Sequence, residues 1–132
     1  MPVLFDELNL RNITYGILGF LKKNDFIGDS ETIQNVYYRL KKDERFKKYF
    51  SDVNFNDWMR YPYSEEVEDL IFGLKHSRVL NVLNPEYLKC QIKEETKERL
   101  KKRIQKSFEN QPEVIEDIKQ MAEIFEEETK IQ

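Results

Sequence analysis

The chain has 132 residues, which fits one domain and allows a hydrophobic core without disulfide or metal support. Charged residues make up 36%, the mean hydropathy is -0.74 and the net charge is -3, yet nine Phe, seven Tyr and one Trp supply apolar bulk that disordered chains lack. The longest apolar run, residues 13–21, is too short to span a bilayer, and no secretion signal is indicated. We therefore expect a folded cytoplasmic domain that does not contact membranes.

The N-terminal part predicts an arm followed by one helix. Residues 1–10 form the arm, and its apolar side chains are expected to pack on the domain body: Val3, Leu4, Phe5, Leu8 and Leu10. Asn12 is the predicted cap of a helix that ends near Asn24. Gly16 and Gly19 lower helix propensity within it, which indicates that a neighbouring element approaches closely.

A second helix is predicted after a turn at residues 25–29. Asp29 or Ser30 is its expected N-cap. Its apolar residues recur at helical spacing: Ile33, Val36, Tyr37 and Leu40. A short third helix near residues 45–50 and an irregular stretch through Pro62 follow.

An amphipathic helix over residues 64–76 is predicted next, with a β-hairpin after it. Ser64 is a good N-cap, and Glu65 and Glu66 suit the positive end of the helix dipole. The buried stripe consists of Val67, Leu70, Ile71 and Leu74. This order of a helix and then a hairpin suggests a winged helix.

The predicted hairpin pairs residues 78–83 with residues 87–92 across a turn at residues 84–86. Its inward-facing side chains are expected to be Leu80, Val82, Leu88, Cys90 and Ile92, and its outward-facing ones Asn81, Lys89 and Gln91. An isolated hairpin is marginal in water, so a third strand is expected from elsewhere in the chain.

Two helices are predicted to close the chain. The first covers residues 94–110 with a thin apolar stripe of Leu100, Ile104 and Phe108. The second begins at Pro112, and its wider apolar face consists of Val114, Ile115, Ile118, Met121, Ala122 and Phe125. The predicted fold class is mainly α with a small β-hairpin, an α+β fold. It forms one domain over residues 1–132, with a winged-helix-like core at 13–104 and a C-terminal helical extension at 105–132.

The segment Tyr61-Pro-Tyr-Ser-Glu-Glu-Val67, followed by the hairpin, resembles the Tyr-Gly-Pro-Tyr-Ser-x-Glu-Leu signature of the Panacea domain. That domain is found in SocA-like antitoxins and YwgA-like bacterial proteins. Ile33-Gln-Asn-Val-Tyr-Tyr-Arg-Leu40 is similar to an earlier helix of the family. The resemblance covers residues 13–104. It implies a winged-helix-like α+β protein of bacterial or phage toxin–antitoxin or regulatory systems, with no catalytic residues to carry over.

The residue types that catalysis and cofactors require do not form a recognisable pattern. His76 is the only histidine and lies twelve residues from Ser64, about 18 Å along a straight helix, too far for a dyad. Cys90 is the only cysteine, and its place in a predicted strand favours a small buried residue. We predict a non-enzyme with no catalytic residues, no metal site and no cofactor.

Charge is strongly segregated along the chain. Residues 37–50 hold six cations against two acids, residues 97–106 hold six against one, and residues 112–132 hold two against seven. Solvated helix faces are the ordinary interpretation, with the acids of the last helix pairing to the basic segments. The alternative is contact with nucleic-acid phosphates. The candidate contacts are Arg39, Lys41, Lys42, Lys97, Lys101, Lys102 and Arg103.

Residues 46–63 carry seven aromatic side chains, most of which are expected in the core. A subset has the residue types enriched at binding hot spots, and it defines the candidate partner-binding residues: Trp58, Arg60, Tyr61 and Tyr63.

Two functional hypotheses follow. The first is a non-enzymatic protein-interaction module of antitoxin-like or adaptor type, whose partner is a toxin, a regulatory protein or a second copy of the chain. The alternative is a transcriptional regulator that binds DNA as a dimer through its basic helices. The helix over 64–76 opens with Glu65, Glu66, Glu68 and Asp69. These carboxylates would repel DNA at the position where a winged helix reads bases, which favours the first hypothesis.

Overall fold

The computed structural model describes residues 8–83 and 88–131. Over these residues it contains five α-helices and a three-stranded antiparallel sheet, which confirms the mainly helical α+β class. The elements in chain order are α1 (Leu10–Gly19), β1 (Asp25–Ile27), α2 (Ser30–Lys42), a 3-10 helix (Lys47–Phe50), α3 (Glu65–His76), β2 (Asn81–Leu83), β3 (Lys89–Gln91), α4 (Glu94–Ser107) and α5 (Pro112–Thr129). No helix among them is long and apolar enough to cross a membrane.

The start of α1 differs from the prediction. The side chain of Asn9 accepts a hydrogen bond from the backbone N–H of Asn12 at 2.9 Å, so Asn9 is the cap and Asn12 lies buried in the first turn. The helix ends at Gly19 rather than near residue 24. Of the N-terminal arm, Leu10 is buried and Leu8 is partly exposed, while residues 1–7 lie outside the described part of the chain.

Residues 25–27 were predicted to be part of a turn and instead form β1. Phe26 is buried and lies opposite Cys90 of β3, which makes β1 the expected third strand. The prediction of a turn was wrong because the local Asp and Gly signals do not report pairing with a strand far along the chain.

The sheet has the order β1-β3-β2, so β3 is the central strand. Val82 of β2 lies opposite Cys90, which confirms the predicted hairpin, although its turn at residues 84–86 lies outside the described residues. Cys90 and Ile92 are buried as expected. Leu88, predicted to face inward, lies just before β3 and is 45% exposed, so this part of the prediction was wrong.

The core is centred on aromatic rings from four elements. Phe125 of α5 contacts Phe26 and Tyr37 edge to face, at centroid distances of 5.2 and 6.4 Å. Tyr37 also meets Phe50 of the 3-10 helix at 5.9 Å. The apolar face of α5 is buried at Val114, Ile118, Met121, Ala122 and Phe125. Residues 112–129, assigned from sequence to a C-terminal extension, therefore contribute to the same core as the preceding elements.

The predicted faces of α2, α3 and α4 are largely confirmed. Ser64 caps α3 by accepting a hydrogen bond from the backbone N–H of Val67 at 3.3 Å. The stripes of these helices are buried at Ile33, Val36, Tyr37, Leu40, Val67, Ile71, Leu74, Ile104 and Phe108. The third helix expected near residues 45–50 is a short 3-10 helix.

Candidate interaction site

A closed loop of residues 56–63, here called the Trp58 loop, leads into α3. Asn56 and Tyr63 close its base with two backbone hydrogen bonds, Asn56 N–H to the Tyr63 carbonyl at 2.8 Å and the reverse pair at 3.1 Å. The side chain of Asn56 also accepts from the backbone N–H of Trp58 at 3.2 Å. These bonds tie the tip of the loop to its base.

The tip of the Trp58 loop projects large side chains into solvent. Trp58 is 81% exposed, Met59 is also exposed, and the Arg60 side chain is 83% exposed. Arg60 donates to the carboxylate of Glu31 on α2 at 3.0 Å, which links the tip to the body of the protein. Exposure of this degree is unusual for Trp, which is highly buried on average. A Trp side chain can bury about 150–250 Å² of mostly apolar surface.

The end of the Trp58 loop is held by a buried amide. Gln34 of α2 accepts a hydrogen bond from the backbone N–H of Ser64 at 2.9 Å and donates to the Ser64 carbonyl at 3.0 Å. Nearby, the hydroxyls of Tyr61 and Ser30 lie 3.3 Å apart. The loop therefore joins α3 at a defined position relative to α2.

The four candidate partner-binding residues divide into two pairs. Trp58 and Arg60 are exposed, whereas Tyr61 and Tyr63 are half-buried. Desolvation raises the pKa of the Tyr63 phenol, and the carboxylates of Glu68 and Glu65 raise it further. Tyr63 therefore keeps its proton at neutral pH. The exposed pair is available to a partner, and the half-buried pair supports the loop.

A cleft of about 750 Å³, here called the α2 cleft, lies between the C-terminal half of α2 and residues 54–62. Tyr38 and Phe55 meet edge to face in its lining at 5.3 Å between centroids. The ammonium of Lys42 lies 5.3 Å from the Tyr38 ring centroid, and Lys41 donates to the backbone carbonyl of Val53. The cleft brings candidates from both sequence-based sets together, since Lys41 and Lys42 line it with Arg60 and Tyr61.

The turn after α2 is organised by one ion pair. Asp43 accepts hydrogen bonds from the backbone N–H of Arg45 at 2.9 Å and from its guanidinium at 2.8 and 3.1 Å. The hydrogen bonds from Arg45 hold the pKa of the Asp43 carboxyl below its ordinary value. This turn directs the chain into the 3-10 helix, whose first residue, Lys47, also lines the α2 cleft.

The remaining nucleic-acid candidates have different environments. Arg39 pairs with Glu128 of α5 at 3.1 Å. Lys97 is only 5% exposed and contacts Asn24 and Glu94, so it is withdrawn as a phosphate contact. The sequence spacing indicated this burial, because Leu100 and Ile104 follow Lys97 at i+3 and i+7 and Lys97 therefore shares their inward face.

The outward face of α4 carries an exposed cationic stripe. It consists of Arg99, Lys102, Arg103 and Lys106, which recur at helical spacing. Arg103 also lies 5.6 Å from the ring centroid of Tyr15, and Lys101 lies 5.7 Å from that of Phe20. Lys101 is therefore half-buried against α1, while the stripe faces solvent.

The exposed face of α3 combines acids with an aromatic side chain that sequence reasoning missed. Glu65, Glu66 and Asp69 are exposed, as is Phe72 at 66%. The Phe72 ring stacks on His76 with centroids 5.9 Å apart. Phe72 lies one position after the buried Ile71, where the helical period indicates an outward-facing residue.

No family model, curated protein or solved structure matches the chain. The similarity to the Panacea domain therefore stays a prediction. Among the described residues, no group of three or more His, Cys, Asp or Glu side chains could hold a metal ion.

Proposed function

We propose that the protein is a non-enzymatic protein-interaction module of antitoxin-like or adaptor type, and that it contacts its partner through the Trp58 loop. The observation that carries the proposal is the exposure of Trp58 at the tip of an anchored loop. Trp, Tyr and Arg are the residue types enriched at interface hot spots, and the loop presents Trp58 and Arg60 together.

The anchoring of the loop supports a binding role. Ordering a mobile loop on binding costs conformational entropy, and a pre-organised loop avoids part of that cost. The Asn56–Tyr63 hydrogen bonds and the Gln34–Ser64 contacts order the loop before any partner arrives. Burial of the indole ring then contributes to affinity with little loss of freedom.

The antitoxin form of the proposal is based on the similarity of residues 61–67 to the Panacea signature. It implies that the partner is a toxin encoded beside this protein in a bacterial or phage genome. An adaptor would use the same surface for a regulatory protein. In both forms the acidic start of α3, next to the loop, favours a partner with a basic surface.

The first test replaces Trp58 with Ala and compares it with Phe72→Ala, an exposed aromatic on α3. Tagged protein is used to isolate partners from a native-like lysate, and the affinity of a recovered partner is then measured by calorimetry. We expect Trp58→Ala to weaken binding by about 30-fold or more, the size of a hot-spot loss. Phe72→Ala should bind as the wild type does.

The antitoxin form has its own test. Expression of the adjacent small reading frame alone should arrest growth, co-expression with the wild-type protein should restore it, and co-expression with Trp58→Ala should not. Equal rescue by the wild-type protein and Trp58→Ala would contradict the proposal that the Trp58 loop binds the partner. A partner that binds Trp58→Ala as tightly as the wild type would contradict it too.

A DNA-binding regulator is the second candidate, favoured by the exposed stripe on α4. Neutralising phosphates with such a stripe releases counterions and gives salt-dependent affinity. In a gel shift, we expect duplex binding at about 50 mM salt that weakens at about 200 mM. Lys102→Glu with Arg103→Glu should abolish it, whereas Lys22→Glu with Lys23→Glu, an equal charge change on another exposed surface, should not. No shift at low salt removes this candidate.

A further inference from the structure

We propose that the α2 cleft is a binding site for a mononucleotide, with its phosphate on the cationic side chains and its base against the aromatic ones. This inference does not depend on the protein-interaction function. It concerns the concave surface beside the Trp58 loop, which shares Met59 and Arg60 with the projecting tip but not Trp58.

The size of the α2 cleft suits a small ligand. Small-molecule sites are concave and typically enclose about 300–1,000 Å³. The α2 cleft, at about 750 Å³, lies within that range. It is formed between a helix and a loop whose base is hydrogen-bonded, so contacts within the chain hold both of its walls.

Charge in the α2 cleft favours an anion. Four cationic side chains line it, Lys41, Lys42, Lys47 and Arg60, against the two carboxylates of Glu44 and Asp57. Lys42 and Lys47 are exposed, so their ammonium groups can reach a phosphate. Arg60 uses one of its five donors on Glu31 and keeps the others for a second acceptor.

The aromatic side chains distinguish a nucleotide from a simple anion. Tyr38, Phe55 and Tyr61 line the same cleft, and each is half-buried. A base packed on such a ring gains affinity by stacking, and every base has a suitable face. Asn54, also in the lining, can supply the polar edge contacts that bases require.

The proposal favours a nucleotide over an acidic peptide segment for a specific reason. An acidic segment would form ion pairs with the cationic side chains. It would leave the three aromatic rings without a planar group to stack on them. A nucleotide uses both sets within one small molecule. The occupant is therefore assigned as a free nucleotide, and a single-stranded oligonucleotide carrying the same unit is a separate arm of the test.

The experiment titrates the full-length protein with AMP and ATP, and with inorganic phosphate, adenosine and an eight-residue oligo-dT as separate probes. Trp58, the only tryptophan in the chain, lies between the lining residues Asp57 and Met59 and provides a fluorescence reporter at the cleft. Amide chemical shifts locate the site independently. We expect saturable AMP or ATP binding with Kd below about 1 mM. Phosphate and adenosine should each bind at least about tenfold more weakly than the nucleotide that contains them.

A matched pair of variants tests the location. Lys42→Glu with Lys47→Glu should weaken nucleotide binding by about tenfold or more, since charge-assisted contacts to phosphate become repulsive. Lys22→Glu with Lys23→Glu makes the same change of net charge on another exposed surface and should leave binding within about twofold, because no contact to the cleft is altered. Thermal unfolding by circular dichroism checks that both variants fold.

Several outcomes would overturn the proposal. The titrations would overturn it if neither AMP nor ATP binds saturably, if phosphate binds as tightly as AMP, or if oligo-dT binds and mononucleotides do not. The variants would overturn it if both lose the same amount of nucleotide affinity. Failure here is distinguishable from failure of the proposed function, because partner binding is measured with Trp58→Ala and nucleotide binding with the two lysine variants.

Discussion

At the residue scale, one buried amide links α2 to the start of α3. Gln34 is fully buried, and its side chain satisfies both the N–H and the carbonyl of Ser64. Its amide also donates to Glu68 at 3.2 Å. The Ser64 cap was predicted from sequence, but the partner of its backbone was not, because the two residues belong to different helices.

We predict that Gln34→Leu lowers the free energy of unfolding by about 2 kcal/mol, since it leaves the buried N–H of Ser64 unpaired. The Ser64 carbonyl keeps the hydrogen bond from the backbone N–H of Glu68 at 3.0 Å. Asn35→Leu, at the next and exposed position, should change stability by less than about 0.5 kcal/mol. Urea denaturation of the two variants checks this. A loss for Gln34→Leu no larger than that for Asn35→Leu would show that the amide contributes little.

At the scale of elements, α1 and α4 pack with their backbones at close range. A Cβ atom at Gly19 would lie 2.7 Å from the backbone nitrogen of Lys101 and 2.8 Å from its Cα. At Gly16 it would lie 2.8 Å from a methyl of Ile118 on α5. The prediction that these glycines permit close approach is confirmed, and α1 packs between two C-terminal helices.

Gly19→Ala should therefore destabilise the protein by about 3 kcal/mol, because the obstructing atoms are backbone and α4 must shift. The control is Gly73→Ala in the exposed middle of α3, where an added Cβ would meet no atom within 4 Å. There the helix propensity of Ala should raise stability by about 0.5–1 kcal/mol. Thermal melting curves should move in opposite directions, and a parallel change would contradict the packing argument.

At the scale of the whole molecule, the fold uses α5 in two ways. Its apolar face packs against α1 and α2, and its acids bond to other elements. Glu128 forms an ion pair with Arg39, and Glu126 accepts a hydrogen bond from the backbone N–H of Lys23 at 2.7 Å. The thin apolar stripe of residues 94–110 and the wide stripe of α5 could also have served a homodimer. Ile104 and Phe108 of the first stripe and most of the second are buried within one chain, and the possible homodimer stays a prediction.

We predict that a chain ending at Asn110 loses cooperative unfolding, because removal of α5 exposes Phe26, Tyr37 and the partner faces of α1. Phe125→Ala should give an intermediate loss of about 3–5 kcal/mol. Glu127→Ala, on the exposed side of the same helix, should be nearly neutral. Calorimetry of the three proteins checks the order, and a sharp transition in the truncated chain would mean that α5 is dispensable.

Local patterns determined much of this structure in advance. The helical period located the buried faces of α2, α3 and α5, and Ser64 was the predicted cap. The exposed part of the candidate site could also be predicted from the sequence, since Trp58 and Arg60 were selected by residue type. These properties depend on spacing and chemistry within a few residues, which the sequence displays directly.

Tertiary structure alone decided the remainder. Strand β1 forms because Phe26 pairs with Cys90 of β3, and the α2 cleft arises where residues 54–62 fold back beside α2. Each of these depends on residues distant in the chain, so no local period encodes it. The sequence by itself determined which faces are apolar, whereas packing decided which partner each face meets and which side chains remain in water.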